Sequence, residues 1–172
     1  MNRVVTGYDQ NGSPAIIYQG EPPTVIHAGR YVTTELWVSD QTPAAAASSD
    51  MSTRAWELEP PPGGTCFRIV EIAPGGETDS ADDRASDDDG ADDADEGSGG
   101  LDAAAEGFQD AHATSTLDYV TILSGQVTLV VGSTEVTLWP GDSVVQQPGV
   151  PHDWQNRSAD RAVMVGVLLS AR

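Results

Sequence analysis

Over much of this chain hydrophobic and polar residues alternate with a period of two, and no segment sustains the 3.6-residue spacing of an amphipathic helix. In the last third, Val127, Leu129 and Val131 alternate with Gln126 and Thr128. After a turn at Gly132-Ser133-Thr134, Val136 and Leu138 alternate with Glu135 and Thr137. This pattern predicts a hairpin with one buried face. The run "RAVMVGVLLS" near the C-terminus is apolar at both parities, which predicts a strand covered on both faces. Near the N-terminus two β-rich runs flank Asp9-Gln10-Asn11-Gly12, and the Asn-Gly step predicts a hairpin across residues 3–19. Further strands are predicted in "TVIHAGRYVTTELWVSD" and over Thr65–Ala73, the latter framed by Pro-Pro-Gly-Gly and Pro-Gly-Gly. Gln41–Ser52 reads as a loop holding at most one helical turn. Many short strands separated by Gly and Pro turns predict an all-β sandwich or barrel.

Charge divides the chain into three parts. The formal net charge is −19, yet fourteen of the 27 acidic residues fall between Glu77 and Asp110, against one basic residue, Arg84. The tract 75–107 is built from Asp, Ala, Gly and Ser with Leu101 as its only large aliphatic residue. Such a segment cannot bury enough apolar surface to offset its ordering entropy, so it predicts a disordered acidic insertion in one domain spanning 1–172. N-terminal strands over 1–74 precede it and a core over 108–172 follows. Lengthening a loop from about 8 to about 32 residues costs roughly 1.2 kcal/mol of closure entropy, so a barrel tolerates the insertion. Lysine is absent and the eight arginines form no basic cluster, which argues against nucleic acid and anionic membranes as partners. No apolar run approaches the roughly 18–20 residues of a membrane span. The opening "MNRVVTGYDQNG" has no apolar core of a secretory signal, and the one cysteine, Cys66, excludes an internal disulfide. These features predict a cytoplasmic protein, with Cys66 a small buried hydrophobe.

Two motifs carry the candidate chemistry. In "PGDSVVQQPGVPHDWQN", Gly141, Gly149, His152 and Asn156 stand at fixed intervals, with Pro148 one place beyond the usual proline position, held here by Gln147. In "GFQDAHATSTLDYVTILSG", Gly107, His112, Thr114, Asp118 and Gly125 form a second series. Both series and the hairpin between them resemble the two motifs of the cupin superfamily, small jelly-roll β-barrels that often hold a metal in the barrel mouth. Thr114 stands where the family's second histidine falls, and Asp118 where its glutamate falls.

The resemblance implies an all-β, cupin-type jelly-roll barrel and a divalent metal (Fe, Mn, Zn or Ni) held by His112, Asp118 and His152. Two imidazoles and a carboxylate suit Fe(II) or its neighbours, with a side left open at Thr114 for water or substrate. On a straight strand His112 and Asp118 would lie about 20 Å apart at ~3.3 Å per residue, so the chain must bend through "ATSTL" for both to serve one site. The expected activity is metal-dependent and non-redox, of lyase, decarboxylase or cyclase type, on a small-molecule substrate. Asp118, Gln146 and Thr114 are the candidate catalytic residues. An Fe(II)-dependent dioxygenase and a metal-free ligand-binding barrel are the alternatives. Trp154 shares parity with His152 and either lines the pocket or seals the barrel end. Arg68 meets a substrate carboxylate or pairs with acids, Tyr119 packs between layers, and His27 is structural. The resemblance also implies a homodimer, with the hairpin at residues 3–19 as the exchanged edge.

Overall fold

A computed structural model of the chain describes residues 1–46, 50–75 and 111–171. Among them are eleven strands: β1 (Arg3–Tyr8), β2 (Pro14–Gly20), β3 (Thr24–Ala28), β4 (Tyr31–Ser39), β5 (Thr65–Ile72), β6 (Thr116–Ser124), β7 (Val127–Val131), β8 (Thr134–Leu138), β9 (Ser143–Gln146), β10 (Asp153–Gln155) and β11 (Ala162–Ser170). One short 3₁₀ turn, Met51–Thr53, is the only helical element among the described residues, in the loop where at most one turn was expected. No helix among them is long and apolar enough to cross a membrane. The acidic insertion read over 75–107 lies, apart from Gly75, outside the described residues.

Three antiparallel sheets result. The largest has six strands in the order β3-β4-β5-β11-β6-β9, a second has β10-β7-β8, and β1 pairs only with β2. The first two sheets close on a shared core that includes Tyr31, Ile72, Val120, Ile122, Val127, Leu129, Trp154 and Met164. Sheet packed on sheet around alternating inward side chains is the sandwich or barrel the pattern predicts and the jelly roll the resemblance implies.

Local chemistry explains the turns. At the β1–β2 turn the Asp9 carboxylate accepts from the backbone N–H of Asn11 and of Ser13, both at 2.8 Å. Gly12 supplies the left-handed backbone there, at φ 75°. Gly125, between β6 and β7, also has positive φ, and a side-chain carbon on it would meet the Arg161 carbonyl at 2.6 Å. Only glycine fits that approach. Asn156 is fully buried and ties two segments together, donating to the Ile72 carbonyl at 3.0 Å and to the Asp160 carbonyl at 2.8 Å.

Two expectations from the pattern need correction. β7 and β8 form the predicted hairpin, but β8 is an edge strand in which only Leu138 is buried, and Val136 is exposed. On β7 the polar Thr128 is buried as well as Val127 and Leu129. β11 is also not covered twice. Its Ala162, Met164, Gly166 and Leu168 are buried, while Val163, Val165, Val167 and Leu169 on the other face are only half-buried.

Candidate active site

The bend demanded by the sequence is made just before β6. Residues 111–115 leave the strand path, and His112 pairs with His152 across the barrel mouth as an isolated antiparallel bridge. The two residues exchange backbone hydrogen bonds, His112 N–H to the His152 carbonyl at 3.0 Å and His152 N–H to the His112 carbonyl at 2.9 Å. A directly opposed pair projects its side chains to one side of the ladder. Their ring centroids stand 4.7 Å apart. Downstream, the Gly149 N–H donates to the Thr114 carbonyl at 2.8 Å, which fastens the second motif's turn to the first motif.

Both rings open on a cavity of about 60 Å³, lined among others by Asp118, Thr114, Trp154, Arg68, Leu58 and Met164. Most of its wall is apolar. Trp154 lines this cavity, meeting His152 edge-on at 6.1 Å between centroids. Its position is fixed from behind by the Tyr31 hydroxyl, which donates to the Trp154 carbonyl at 2.7 Å.

The protonation of His152 follows from its surroundings. Its Nδ1 lies 2.9 Å from the Val150 carbonyl, which can only accept, so Nδ1 carries the proton and Nε2 keeps its lone pair. Burial pushes this imidazole below its ordinary value of 6.5, and the neighbouring His112 adds to the effect. Asp118 is also buried, and burial pushes its carboxyl above the ordinary value of 3.8 against a hydrogen bond from Thr116. Its Oδ1 is buried with no hydrogen-bond partner. Thr114 and Thr116, one residue in from Asp118 along the same parity, are joined through their hydroxyls at 2.9 Å.

Gln146 does not line the cavity wall. Its Nε2 lies 3.3 Å from the Gln147 carbonyl and 3.2 Å from the Val150 carbonyl. Because Val150 also receives the His152 proton, Gln146 positions the histidine through a shared carbonyl. Tyr119 does not pack between layers: it points away from the cavity and is 49% exposed. His27 is exposed on β3. Cys66 is buried as expected, and burial pushes its thiol up to about 11.

Arg68 forms a buried ion pair at 2.8 Å with Glu35, both side chains under 5% exposed. A β-bulge between Glu35 and Trp37 offsets the register beside Arg68. The guanidinium also donates to the Leu58 carbonyl at 2.8 Å and the Glu57 carbonyl at 3.3 Å, and lies over the Trp56 ring at 5.6 Å. Neither Glu35 nor Leu58 stood out in the sequence. The available signal was Arg68 itself, an arginine at the same parity as Cys66, Val70 and Ile72.

The residues present fit two ligands of a metal centre, not three. His112 and His152 are adjacent, but among the described residues no group of three or more His, Cys, Asp or Glu side chains is gathered to hold an ion. Asp118 shares the cavity without joining the imidazole pair into such a group, and the Thr114 hydroxyl is engaged by Thr116.

Comparison with known proteins agrees with the architecture. Residues 102–168 match the family model described as Cupin domain. Phomopsin biosynthesis cluster protein C' of Diaporthe leptostromiformis is 29% identical over 172 residues, with 91% of this chain and 71% of that protein covered. Among solved structures, the chain is similar to the polyketide cyclase RemF from Streptomyces resistomycificus at TM-score 0.46 and 14% identity, covering 88% of this chain and 73% of that one. It is similar to a Cupin 2 conserved barrel domain protein from Salinispora arenicola at TM-score 0.46 and 13% identity, covering 85% and 82%.

Proposed function

We propose that this protein is an enzyme of small-molecule metabolism that moves a proton on a neutral, largely apolar molecule bearing a carbonyl group, in a non-redox lyase, dehydration or cyclisation reaction. One observation carries the reading. A neutral imidazole with its Nε2 lone pair kept, and a buried carboxyl with an unpartnered oxygen, line one mostly apolar cavity. Burial moves the two groups in opposite senses, His152 towards the free base and Asp118 towards the acid. Opposed shifts of this kind assign roles: His152 Nε2 takes a proton from carbon, and Asp118 protonates or hydrogen-bonds the oxygen on which charge develops. The cavity favours a neutral substrate because Arg68, the one arginine among its described lining residues, is already compensated by Glu35. The likeness to a protein of a biosynthesis cluster supports a metabolic role.

The test begins by screening neutral ketones and aldehydes for a rise in melting temperature, since any ligand of the folded state raises it. Compounds that bind are then incubated in D₂O, and NMR follows deuterium entering at carbon next to the carbonyl. The reading predicts incorporation by the wild type and loss of it in His152→Ala. Incorporation that is indifferent to His152→Ala would sink it.

A second reading, favoured by the imidazole pair and the unpartnered Asp118 oxygen, is a divalent cation (Fe, Mn, Zn or Ni) held by His112 and His152. Water or the substrate would complete the set. When bound, the metal supplies Lewis acidity at the carbonyl oxygen. Titration with each metal by calorimetry decides: stoichiometric binding abolished by His112→Ala supports it, and heat unchanged by that substitution rules it out.

A further inference from the structure

We propose that Leu58 sets the size of the molecule the cavity accepts, limiting it to a small open-chain compound of about three to five non-hydrogen atoms. Among the described residues that line the cavity, Leu58 alone comes from outside the barrel strands and the two motif segments. It belongs to residues 54–64, a strap without regular structure between the 3₁₀ turn and β5. Leu58 is half-buried and Pro60 is buried, while Ala55 and Glu57 of the same strap are exposed. The strap therefore closes part of the cavity wall with one aliphatic side chain and turns its other residues to solvent.

The strap is held at two points. From the barrel wall, the Arg68 guanidinium grips three consecutive residues. It donates to the Leu58 carbonyl at 2.8 Å and the Glu57 carbonyl at 3.3 Å, and lies over the Trp56 ring at 5.6 Å. Glu35 fixes the guanidinium in turn, at 2.8 Å. On the other side of Leu58, the Glu59 carboxylate accepts from the Ser115 N–H at 3.0 Å and from the Ser115 hydroxyl. Ser115 directly follows Thr114, itself a residue of the cavity wall. Leu58 is thus carried between β5 and the segment that bears His112. The hollow between strap and sheet, lined by Glu35, Trp56 and Cys66 among others, measures about 10 Å³, room for about one water. Beyond Glu59 the run Pro60-Pro61-Pro62 stiffens the chain, and the Gly63 N–H donates to the Ser170 hydroxyl at 3.0 Å. A buried ion pair adds little stability over an apolar pair, so the work of Arg68 and Glu35 is to position this wall.

Volume decides what fits. With Leu58 in place the cavity measures about 60 Å³. A water needs roughly 10–15 Å³ of such space, and an apolar cavity of about 150 Å³ takes up benzene. An open-chain ketone or aldehyde of a few carbons fits, and a six-membered ring does not. The size limit stands on the cavity alone; that the small molecule is a carbonyl compound rests on the function proposed above. Of the two holds on the strap, the Glu59–Ser115 contact is exposed and the Arg68–Glu35 pair is buried, so the first is the easier to release. Truncating Leu58 enlarges the cavity directly, and releasing Glu59 enlarges it by letting Leu58 withdraw.

Titration of the full chain with benzene and with cyclohexanone, followed by NMR, tests the limit. Benzene carries no carbonyl, so its binding does not depend on the proposed reaction. Leu58→Ala should bind both rings about tenfold or more tightly than the wild type does. Leu58→Phe, which fills the same space, should bind neither. Should Leu58→Ala fail to fold by circular dichroism, Glu59→Ala, which removes only an exposed contact, should still tighten cyclohexanone binding severalfold, and no change there overturns the proposal. A wild type that binds the rings as tightly as Leu58→Ala overturns it, and so does a Leu58→Ala that binds neither. If ring binding follows Leu58 while no ketone exchanges deuterium in the wild type, the size limit stands and the carbonyl reading alone falls.

Discussion

The two faces of the six-stranded sheet invert the usual arrangement. Towards the cavity, β5 presents Arg68 and β6 presents Asp118, both buried and both ionisable. Towards the outside, the very next residues are Phe67 and Tyr119, apolar or aromatic and more than two-fifths exposed. Packing alone would place these pairs the other way round, since buried charge and bare aromatic surface each cost free energy. The inner departure is where the proposed chemistry sits, and the outer one is an exposed apolar surface. Substitutions on adjacent residues of one strand should therefore act on different properties of the molecule.

The largest effect belongs to the inner face at the mouth. His152→Ala removes an imidazole whose Nδ1 is fixed on a carbonyl and whose Nε2 is thereby kept as an acceptor. A general base contributes about 10²–10⁴-fold, so kcat should fall by that order on any substrate found by deuterium exchange. Gln146→Leu should lower kcat far less, because it removes a donor to the Val150 carbonyl and leaves the imidazole in place. If the two variants lose rate equally, His152 acts by its position and not as the base.

Stability separates the two faces next. Arg68→Met leaves Glu35 buried at 3% exposure with its charge uncompensated, and breaking such a pair costs about 3–5 kcal/mol. The neighbouring Phe67→Ser, tested in urea, should stay within about 0.5 kcal/mol of the wild type. The double variant Glu35→Leu/Arg68→Met should recover most of the first loss, since an apolar pair of similar volume carries no desolvation cost. Equal losses at Arg68 and Phe67 would erase the contrast between the faces.

How far the sequence disclosed this contrast depended on the range of the interactions involved. Strand positions, the Asn11-Gly12 hairpin turn and the facing of His112 and His152 rest on two-residue alternation and motif spacing, both local properties of the chain. Glu35 and Arg68 are 33 positions apart, and their meeting depends on a bulge no composition signals. Gln146 was legible as a buried amide, but its partners lie in a turn whose geometry only the folded chain defines. Alternation also cannot say how many layers a fold supplies. It read β8 as half-buried and β11 as covered twice, and both depend on which neighbour lies across the sheet. The metal set was legible as residue types at intervals, and the fold brings two of its three members together.

The acid–base assignment predicts a narrow pH profile. Activity requires His152 unprotonated and Asp118 protonated, so it should fall below the lowered pKa of the one and above the raised pKa of the other. The maximum of kcat/KM should lie on the acid side of the 6.5 ordinary for imidazole. In Asp118→Asn the alkaline limb should vanish while the acid limb stays. A profile that rises through neutrality and levels off would instead describe an ordinary exposed histidine, and would remove Asp118 from the reaction.

The smallest effect has the least expected sign. Burial raises the Asp118 carboxyl above its ordinary 3.8, so its contribution to stability is present below that value and is lost as pH rises through the folded-state value. Above that value the folded protein carries a poorly hydrated carboxylate whose Oδ1 has no partner. Asn has nearly the same shape and no charge to desolvate. Asp118→Asn should match the wild-type melting temperature near pH 3.5 and exceed it near pH 7, with the gap opening across the pH range between. Tyr119→Gln, one residue along and on the outer face, should show no such pH-dependent gap. An Asp118→Asn variant that is less stable than the wild type at pH 7 would mean that the carboxylate is held by a favourable partner, and the inner face would then owe its buried acid to structure instead of to the reaction.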